Sequence, residues 1–537
     1  MARLHAQREK AEQEELEQHE TYAAAALFAL HEPRCPERLM ERVFGALGLP
    51  EHTFAGLLAM RMRTHEHDIA ESEAALVRAL PDHHRSLALW LLLQTCVVPS
   101  YVTMYDARAR ASLRRCAASL CQPHALPQLE LALAQMIEQQ ASADANSSSA
   151  SSSSSQSKLP WLQRPRTWAV AGATGLGGVA CLATGGWAAP AVASGLHSIF
   201  GLSVSSTLLT SGFTAYGARE ANKRTQHLVS DLTVFEFDNL KADDPARLAS
   251  TIFAAGAVTT REDFHTQWHQ CANASSEKCR SLVFEPEEMC RLYNVFERAI
   301  SEAVMNEAFT AAVAQTFLKS LLYAMAAPMA VLSAFSWIDS TVSVVASRAD
   351  QAGKELAHSL TKANVQGGKP VSLVGCGYGA RALMTCLDHL SKEADGGGAG
   401  IVDTAVLCGL PFSARAEDWE AARSVVADRL VNCYSQSDWL LALCFRVTAF
   451  DRGCAGLQKI DREDVEDINV CDIIERHTDY ASADKLRQIM ARVEAGGSSL
   501  DEAGDSEAIA IDSELPKGDG ASITTDGAAE SEDVARE

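Results

Sequence analysis

The sequence predicts an α/β protein with a parallel sheet, preceded by a helical region and by an uncharged segment long enough for two membrane helices. Three observations lead to this prediction. Residues 4–140 have the apolar periodicity and the Ala, Leu, Glu and Arg content of helices. Residues 167–217 contain no Asp, Glu, Lys or Arg. From Pro370 onward, short apolar runs alternate with helical patterns, which is typical of βαβ units.

Composition and charge limit the number of domains and the class of partner. A chain of 537 residues is long enough for roughly two to four domains. Its formal charge of −22 argues against a nucleic-acid partner. The 15 cysteines form no CxxC pair and no regular framework, which favours reduced thiols in a cytosolic setting. No cofactor and no metal site is predicted.

The two ends of the chain differ from its centre in composition. Residues 1–141 are predicted to be an α-helical N-terminal region, and the Ser-rich residues 142–158 to be a flexible linker. Residues 497–537 hold 12 Asp or Glu against 2 Lys or Arg and no aromatic residue, which predicts a disordered acidic tail. The N-terminal helices and this tail are candidate surfaces for protein partners.

The uncharged residues 167–217 are the strongest membrane signal in the chain. They are enough for two helices of roughly 20 residues each. Arg164 and Arg166 precede them and Arg219 follows, so both ends are expected on the cytosolic side, with membrane lipids as partners. A buried or amphitropic helical pair is the alternative, because small residues insert less favourably than Leu or Ile. The uncharged residues 320–338 are interpreted as a buried helix.

Residues 225–496 are predicted to form the α/β domain. Strands are expected near residues 233–237, 246–258, 371–375, 401–410 and 430–435, and helices at 285–360, 380–394 and 417–429. The first of these is a long helical stretch that contains the uncharged residues 320–338.

A glycine-rich turn, Gly375-Cys376-Gly377-Tyr378-Gly379, joins a predicted buried strand to a helix. The dinucleotide fingerprint G-x-G-x-x-G/A is met literally here. That fingerprint also needs an acidic residue at the end of the next strand, whereas Asp403 lies at that strand's start. Nucleotide binding is therefore the weaker interpretation.

The alternative is the nucleophile elbow G-x-S-x-G of α/β-hydrolases, in which a serine occupies the centre of a sharp turn. Gly375 and Gly379 fit the flanks, and Gly377 stands in the serine's place. Glycine accepts a positive φ without steric cost, so the turn could persist without its nucleophile. Cys376 is adjacent and is the candidate substitute nucleophile.

Two downstream residues support the elbow interpretation. Asp438 follows the predicted strand at residues 430–435, where the acid of an α/β-hydrolase is expected, and His477 comes later. The chain order is thus nucleophile position, acid, base. Taken alone, a single Asp or His is more often a surface or packing residue.

Further motifs resemble a known family. They are Ile338-Asp339, Arg348 to Gly353, Arg381 after the elbow, Trp419, the run at residues 429–446, and His477-Thr478-Asp479-Tyr480. Together they resemble the transmembrane and coiled-coil domain-containing, lipase-like family labelled domain of unknown function 726, over roughly residues 75–495. The resemblance implies an α/β-hydrolase fold, membrane association, and a Ser-Asp-His arrangement with Asp438 as acid and His477 as base.

The chain departs from the family pattern at Gly377, since glycine has no nucleophilic atom. We therefore expect a catalytically impaired, membrane-associated protein that acts as a lipid-binding or docking module. One alternative is an active ester or lipid hydrolase that uses a non-standard nucleophile such as Cys376. Another is a membrane-trafficking scaffold.

Overall fold

A computed structural model describes the chain in segments. These are residues 18–31, 37–50, 52–53, 55–57, 59, 66–97, 105–148, 232–241, 247–305, 336–361, 368–393, 398–448 and 453–496. The predicted hairpin, most of the predicted linker, residues 306–335 and the acidic tail lie outside the described residues. Among the helices in the described segments, none combines the length and the apolar character needed to cross a membrane.

The N-terminal region is helical where it is described, as the sequence predicts. Its helices are α1 (Gln18–His31), α2 (Glu37–Ala46), α3 (Glu66–Arg78), α4 (Asp82–Cys96), α5 (Ala107–Ser119) and α6 (Ala125–Ser148). Their apolar faces share one core of Ala, Leu and aromatic side chains. Helix α6 continues past Ser142, where the linker was expected to begin, because alanines there are still good helix formers.

The α/β region contains a sheet of seven strands. They are β1 (Phe235–Asn239), β2 (Ser250–Ala254), β3 (Lys278–Phe284), β4 (Val371–Cys376), β5 (Val402–Cys408), β6 (Leu430–Tyr434) and β7 (Glu466–Asn469). Their order across the sheet is β1-β3-β2-β4-β5-β6-β7. The prediction of a parallel sheet was wrong at one edge, where β1 pairs antiparallel with β3. The sheet is therefore mixed.

Two strands were not predicted, for reasons visible in their sequences. β3 begins Lys278-Cys279-Arg280, and two charged residues in its first half are not typical of a buried strand. It nevertheless lies inside the sheet, between β1 and β2. β7 has the sequence EDIN, in which Ile468 is the only apolar residue. Both strands are defined by pairing with neighbours distant in the chain, which local periodicity does not report.

Helices cover both faces of the sheet. Those after the first strands are α7 (Asp263–Thr266), α8 (His269–Ala274), α9 (Pro286–Met305) and α10 (Ser336–Thr361); the rest are α11 (Gly377–Ser391), α12 (Glu420–Val425), α13 (Trp439–Thr448) and α14 (Ala483–Glu494). Helices α10 and α11 belong to the core on one face, and α14 packs on the other. The long helical stretch expected at residues 285–360 is described as α9 and α10, and residues 306–335 lie outside the described residues.

Helix α5 is joined to the amino-terminal edge of the sheet by buried ion pairs. Arg110 donates to Glu130 at 2.8 Å, and to Glu277 and Asp403 at 2.7 Å each. Arg114 donates to Asp403 at 2.6 Å and also pairs with Asp428. Glu277, Asp403 and Asp428 lie at the starts of β3, β5 and β6. This amino-edge cluster ties the N-terminal helices to the sheet.

Candidate active site

The predicted elbow is a strand-to-helix turn in the structure. β4 ends at Cys376 and α11 begins at Gly377, with no residue between them. Gly377 has a φ of +51°, in the left-handed region that costs a non-glycine residue about 1–2 kcal/mol. The sharp turn is therefore made at the residue where an α/β-hydrolase would carry its nucleophile.

The flanking glycines allow close packing around this turn. A Cβ at Gly379 would overlap the Ala254 carbonyl oxygen at the end of β2. A Cβ at Gly375 would lie 2.8 Å from Leu383 Cδ1 and 3.0 Å from the Ala380 nitrogen. A side chain at Gly379 would overlap backbone atoms and one at Gly375 would be crowded, which gives a physical reason for glycine at both positions.

Asp438 and His477 are brought together at the carboxyl edge of the sheet. Asp438 follows β6 and His477 follows β7, and adjacent parallel strands deliver both to the same edge. His477 Nδ1 and Asp438 Oδ2 are 2.7 Å apart, and both side chains are buried. The other carboxylate oxygen of Asp438 accepts a hydrogen bond from the Leu441 amide at 3.0 Å. The pair is the geometry of an acid that orients a base.

The turn that carries His477 is fixed by Asp479. The Asp479 carboxylate accepts hydrogen bonds from the amides of Glu475 at 2.9 Å and Arg476 at 3.0 Å. These bonds cap the 3-10 helix His477–Ala481. The His-Thr-Asp-Tyr motif noted in the sequence thus combines a base with the carboxylate that holds its backbone.

His477 lies directly against Gly377. A Cβ at Gly377 would be 2.7 Å from His477 Nε2 and 3.3 Å from Cε1. In a serine–histidine hydrogen bond of ordinary length, the serine Cβ lies about 3.5 Å from the imidazole nitrogen. The imidazole is therefore roughly 0.8 Å too close for a serine side chain at this position.

His477 Nε2 has no hydrogen-bond partner among the described residues, although the His477 side chain is only 1% exposed. Leaving a buried polar group unsatisfied costs about 1–3 kcal/mol. Two aromatic rings enclose the imidazole edge to face: Phe296 of α9 at 5.6 Å and Tyr480 at 5.5 Å between centroids. His477 is thus oriented by Asp438 and enclosed by two aromatic rings.

The turn after β2 lies beside the elbow. A Cβ at Gly256 would overlap the Cys376 carbonyl group and reach the Gly377 Cα at 2.8 Å. Gln267 donates a side-chain hydrogen bond to the Ala257 carbonyl and so holds this turn in place. In α/β-hydrolases an equivalent loop supplies one oxyanion donor.

The surroundings of Cys376 do not suit a substitute nucleophile. Its side chain belongs to the apolar cluster on the α14 face of the sheet, with Val374, Cys408 and Cys433. It is fully buried, and burial raises the pKa of its thiol to about 12. A reactive cysteine needs a lowered pKa and access to substrate, so this environment argues against a thiolate nucleophile.

Sequence reasoning missed Phe296 and the packing of Tyr480 at this site. Phe296 lies in a helix that precedes the elbow by some 80 residues, and nothing in its local pattern connects it with His477. Tyr480 stands in the His-Thr-Asp-Tyr motif, which was a usable signal. Within the described residues, no group of three His, Cys, Asp or Glu side chains is arranged to bind a metal ion.

Arg381, one of the motif residues, anchors the elbow helix. Its guanidinium makes a two-bonded pair with Asp350 of α10, at 2.8 and 2.9 Å, and donates to the Pro411 carbonyl at 3.0 Å. Thr385 donates to the same carboxylate at 3.1 Å. These contacts position α11 relative to α10 and to the loop after β5.

Comparison with known proteins decides the family. The model of the family described as "Protein of unknown function (DUF726)" matches residues 163–496. The chain belongs to this family. The match confirms the resemblance seen in the sequence motifs, and it covers the described sheet, the elbow, Asp438 and His477.

Three relatives place this DUF726 chain among named proteins. A transmembrane and coiled-coil domain-containing protein from Oryza sativa subsp. japonica is 30% identical over 468 residues, covering 80% of this chain and 69% of the relative. An uncharacterized membrane protein from Caenorhabditis elegans is 28% identical, over 56% of this chain and 48% of the relative. A probable lipase from Saccharomyces cerevisiae is 30% identical, over 51% of this chain and 25% of the relative. No solved structure matches the chain.

Proposed function

We propose that this DUF726 protein is a membrane-associated, α/β-hydrolase-like protein that binds an acyl or ester ligand without hydrolysing it. The observation that carries the proposal is Gly377 at the centre of the elbow. A Cβ built on Gly377 would lie 2.7 Å from Nε2 of the buried His477. A glycine supplies no atom that can attack a carbonyl.

The arrangement of the sheet supports the hydrolase-like part of the proposal. The elbow follows a central parallel strand, the acid follows β6 and the base follows β7, which is the chain order of α/β-hydrolases. The name of the yeast relative, probable lipase, is consistent with an acyl-ester site.

Two observations support membrane association. The rice and nematode relatives are named as transmembrane and membrane proteins. In this chain, residues 167–217 are free of charged side chains, and we propose that they form a hairpin with both ends on the cytosolic side.

The impaired state is supported by the closeness of His477 to Gly377. If the turn had lost only the serine side chain, with no other change, the imidazole nitrogen would lie about 3.5 Å from the position of the serine Cβ. Here the imidazole occupies part of that space. In catalytic triads, removing one member leaves only the modest rate enhancement that comes from binding and the oxyanion donors.

An active hydrolase that uses another nucleophile is the second candidate. The retained His477 and Asp438 pair favours it, because a base serves catalysis only with something to deprotonate. The burial and raised pKa of Cys376 oppose it. A membrane-trafficking scaffold would leave the pair without any role, and no contact in the described chain favours it over a ligand-binding site.

The proposal is tested by assaying hydrolysis of a short-chain p-nitrophenyl ester by the full-length protein in detergent. Wild type should turn over no faster than His477→Ala. Because His477 crowds this position, Gly377→Ser should gain at most weak, His477-dependent turnover. Wild-type turnover that His477→Ala abolishes would overturn the proposal, and its loss in Cys376→Ala would identify the nucleophile.

A further inference from the structure

We propose that Phe296 is a positioning residue that holds the His477 imidazole against Gly377, so that restoring a serine there is not enough to restore activity. This inference deepens the proposed function and rests on it, since it names what keeps the turn incompatible with a nucleophile. Three observations carry it. They are the crowding at Gly377, the restraint on the imidazole at its other nitrogen, and the anchoring of the helix that carries Phe296.

The crowding at Gly377 sets the distance that a working site would have to recover. A Cβ at Gly377 would be 2.7 Å from His477 Nε2, whereas a serine–histidine hydrogen bond needs about 3.5 Å between the same atoms. The elbow itself has little room to shift, because Gly256 packs so tightly on it that a Cβ there would overlap the Cys376 carbonyl group. The imidazole must therefore move back by roughly 0.8 Å to accommodate a serine.

The imidazole cannot make this movement toward Asp438. His477 Nδ1 and Asp438 Oδ2 are already 2.7 Å apart, which is at the short end for a hydrogen bond from nitrogen to oxygen. Asp438 is itself held, since its other carboxylate oxygen accepts a hydrogen bond from the Leu441 amide at 3.0 Å. A ring that is fixed at one nitrogen and crowded at the other can give way only sideways, toward the aromatic rings that flank it.

Phe296 is the flanking ring that belongs to a different element. Its ring centroid lies 5.6 Å from that of His477, with the two planes at 88°, and its side chain is buried. Edge-to-face rings at this separation are in direct contact. Tyr480 flanks the imidazole at 5.5 Å, but it lies in the same 3-10 helix as His477 and moves with it. Phe296 is therefore the contact that restrains the imidazole from outside its own helix.

Helix α9, which carries Phe296, is anchored at its start. Glu285 immediately precedes this helix and has a φ of +38°, which is uncommon for a residue with a side chain. Its buried carboxylate accepts hydrogen bonds from the Thr233 amide at 2.5 Å and the Thr233 hydroxyl at 2.9 Å. Met289 and Leu292 belong to the same buried core as Phe296. Since such a backbone conformation persists only where its surroundings fix it, Phe296 is held in place against the imidazole.

The first test is a double-mutant cycle on stability, with the full-length protein in one detergent. Gly377→Ala adds the crowding carbon, and Phe296→Leu removes the restraining ring. If Phe296 holds the imidazole, Gly377→Ala should lower the urea midpoint less in the Phe296→Leu background than in wild type. Gly496→Ala is the matched control, because Gly496 has a φ of +73° but a Cβ there meets nothing within 4 Å. It should lower the midpoint equally in both backgrounds.

The second test measures hydrolysis of a short-chain p-nitrophenyl ester by Gly377→Ser with and without Phe296→Leu. General-base catalysis typically contributes about 10²–10⁴-fold, so Phe296→Leu should raise kcat by at least about tenfold in the Gly377→Ser background. Adding His477→Ala should abolish this gain. Phe235→Leu is the control, since Phe235 is buried in the same core but lies on the edge strand β1. Circular dichroism checks folding, and Phe296→Met, which keeps more of the side-chain volume, is the second variant for both tests.

Equal effects of Gly377→Ala in the two backgrounds, or no gain in kcat from the Phe296 variants, would overturn this inference and leave the proposed function intact. A gain of the same size from Phe235→Leu would also overturn it, because a loosened core and not Phe296 would then be the cause. Hydrolysis that depends on His477 in a protein that keeps Gly377, wild type or Phe296→Leu, would instead overturn the proposed function.

Discussion

Both edges of the sheet bury ionisable side chains, but the two edges differ in how completely these side chains are paired. At the amino edge, Arg110 is 4% exposed and makes three ion pairs. At the carboxyl edge, His477 is 1% exposed and keeps one nitrogen without a described partner. A buried polar group is expensive to leave unpaired, so the ion pairs of the first edge stabilise the fold, whereas the unpaired nitrogen of the second edge costs stability.

The same difference appears in the backbone. None of the residues of the amino-edge cluster has a positive φ, and its arginines pair with carboxylates within the described chain. The carboxyl-edge site includes Gly377 with a positive φ, and Gly256 and Gly379, where a Cβ would overlap backbone atoms. Strained or tightly packed backbone persists only where the surroundings fix it, and it concentrates at functional sites. Three predictions follow from this contrast, from the largest effect to the smallest.

Arg110→Ala should destabilise the protein most, because it leaves the carboxylates of Glu130, Glu277 and Asp403 without their shared partner. Breaking a buried ion pair by removing one side typically costs about 3–5 kcal/mol. Urea unfolding followed by circular dichroism measures the loss. Arg291→Ala is the control, since Arg291 is 63% exposed and should change stability by about 0.5 kcal/mol or less. Equal effects would mean that the amino edge is not a stabilising cluster.

Gly377→Ala should cost about 2–4 kcal/mol, from the positive φ and from crowding of His477. Gly496→Ala shares the positive φ without the crowding and should cost about 1–2 kcal/mol. The difference between the two variants in the free energy of unfolding isolates the contact with the imidazole. If the two costs are the same, His477 does not occupy the serine space.

The smallest effect is a dependence on pH at Asp403. Burial alone would raise the pKa of this carboxyl, but Arg114 and Arg110 hold it below its ordinary value. A carboxyl whose pKa is lowered on folding stabilises the protein above the unfolded pKa, and this stabilisation is lost as the pH falls through the folded value. The free-energy difference between wild type and Asp403→Asn should therefore be full at pH 7 and shrink below about pH 4.

Asp238 provides a control of opposite sign for that experiment. Burial raises the pKa of Asp238 above its ordinary value, so its ionised form opposes folding at neutral pH. Asp238→Asn should then be more favourable at pH 7 than near pH 4, as measured by the same unfolding curves. A parallel trend in the two variants would show that global charge, and not these local environments, controls acid stability.

The sequence predicted five of the seven described strands close to their observed positions and missed two. Strands β4, β5 and β6 carry continuous apolar runs, and each was expected close to its observed position. The polar β7 and the half-polar β3 were missed. Edge and half-polar strands gain their conformation from their neighbours, and this information is not local. The hairpin at residues 167–217 stays a prediction, because it lies outside the described residues.

The sequence by itself determined that Gly377 stands at the elbow and that Asp438 and His477 follow in the order of an acid and a base. It also determined family membership, because motifs are a property of the chain. Only the tertiary structure decided that the imidazole lies against Gly377, that Nε2 is buried without a partner among the described residues, and that Phe296 and Tyr480 enclose the ring. These features arise where α9, the start of α11, the loop before α13 and the 3-10 helix His477–Ala481 meet. These segments are far apart in the chain, and a local sequence pattern does not determine how such segments pack together.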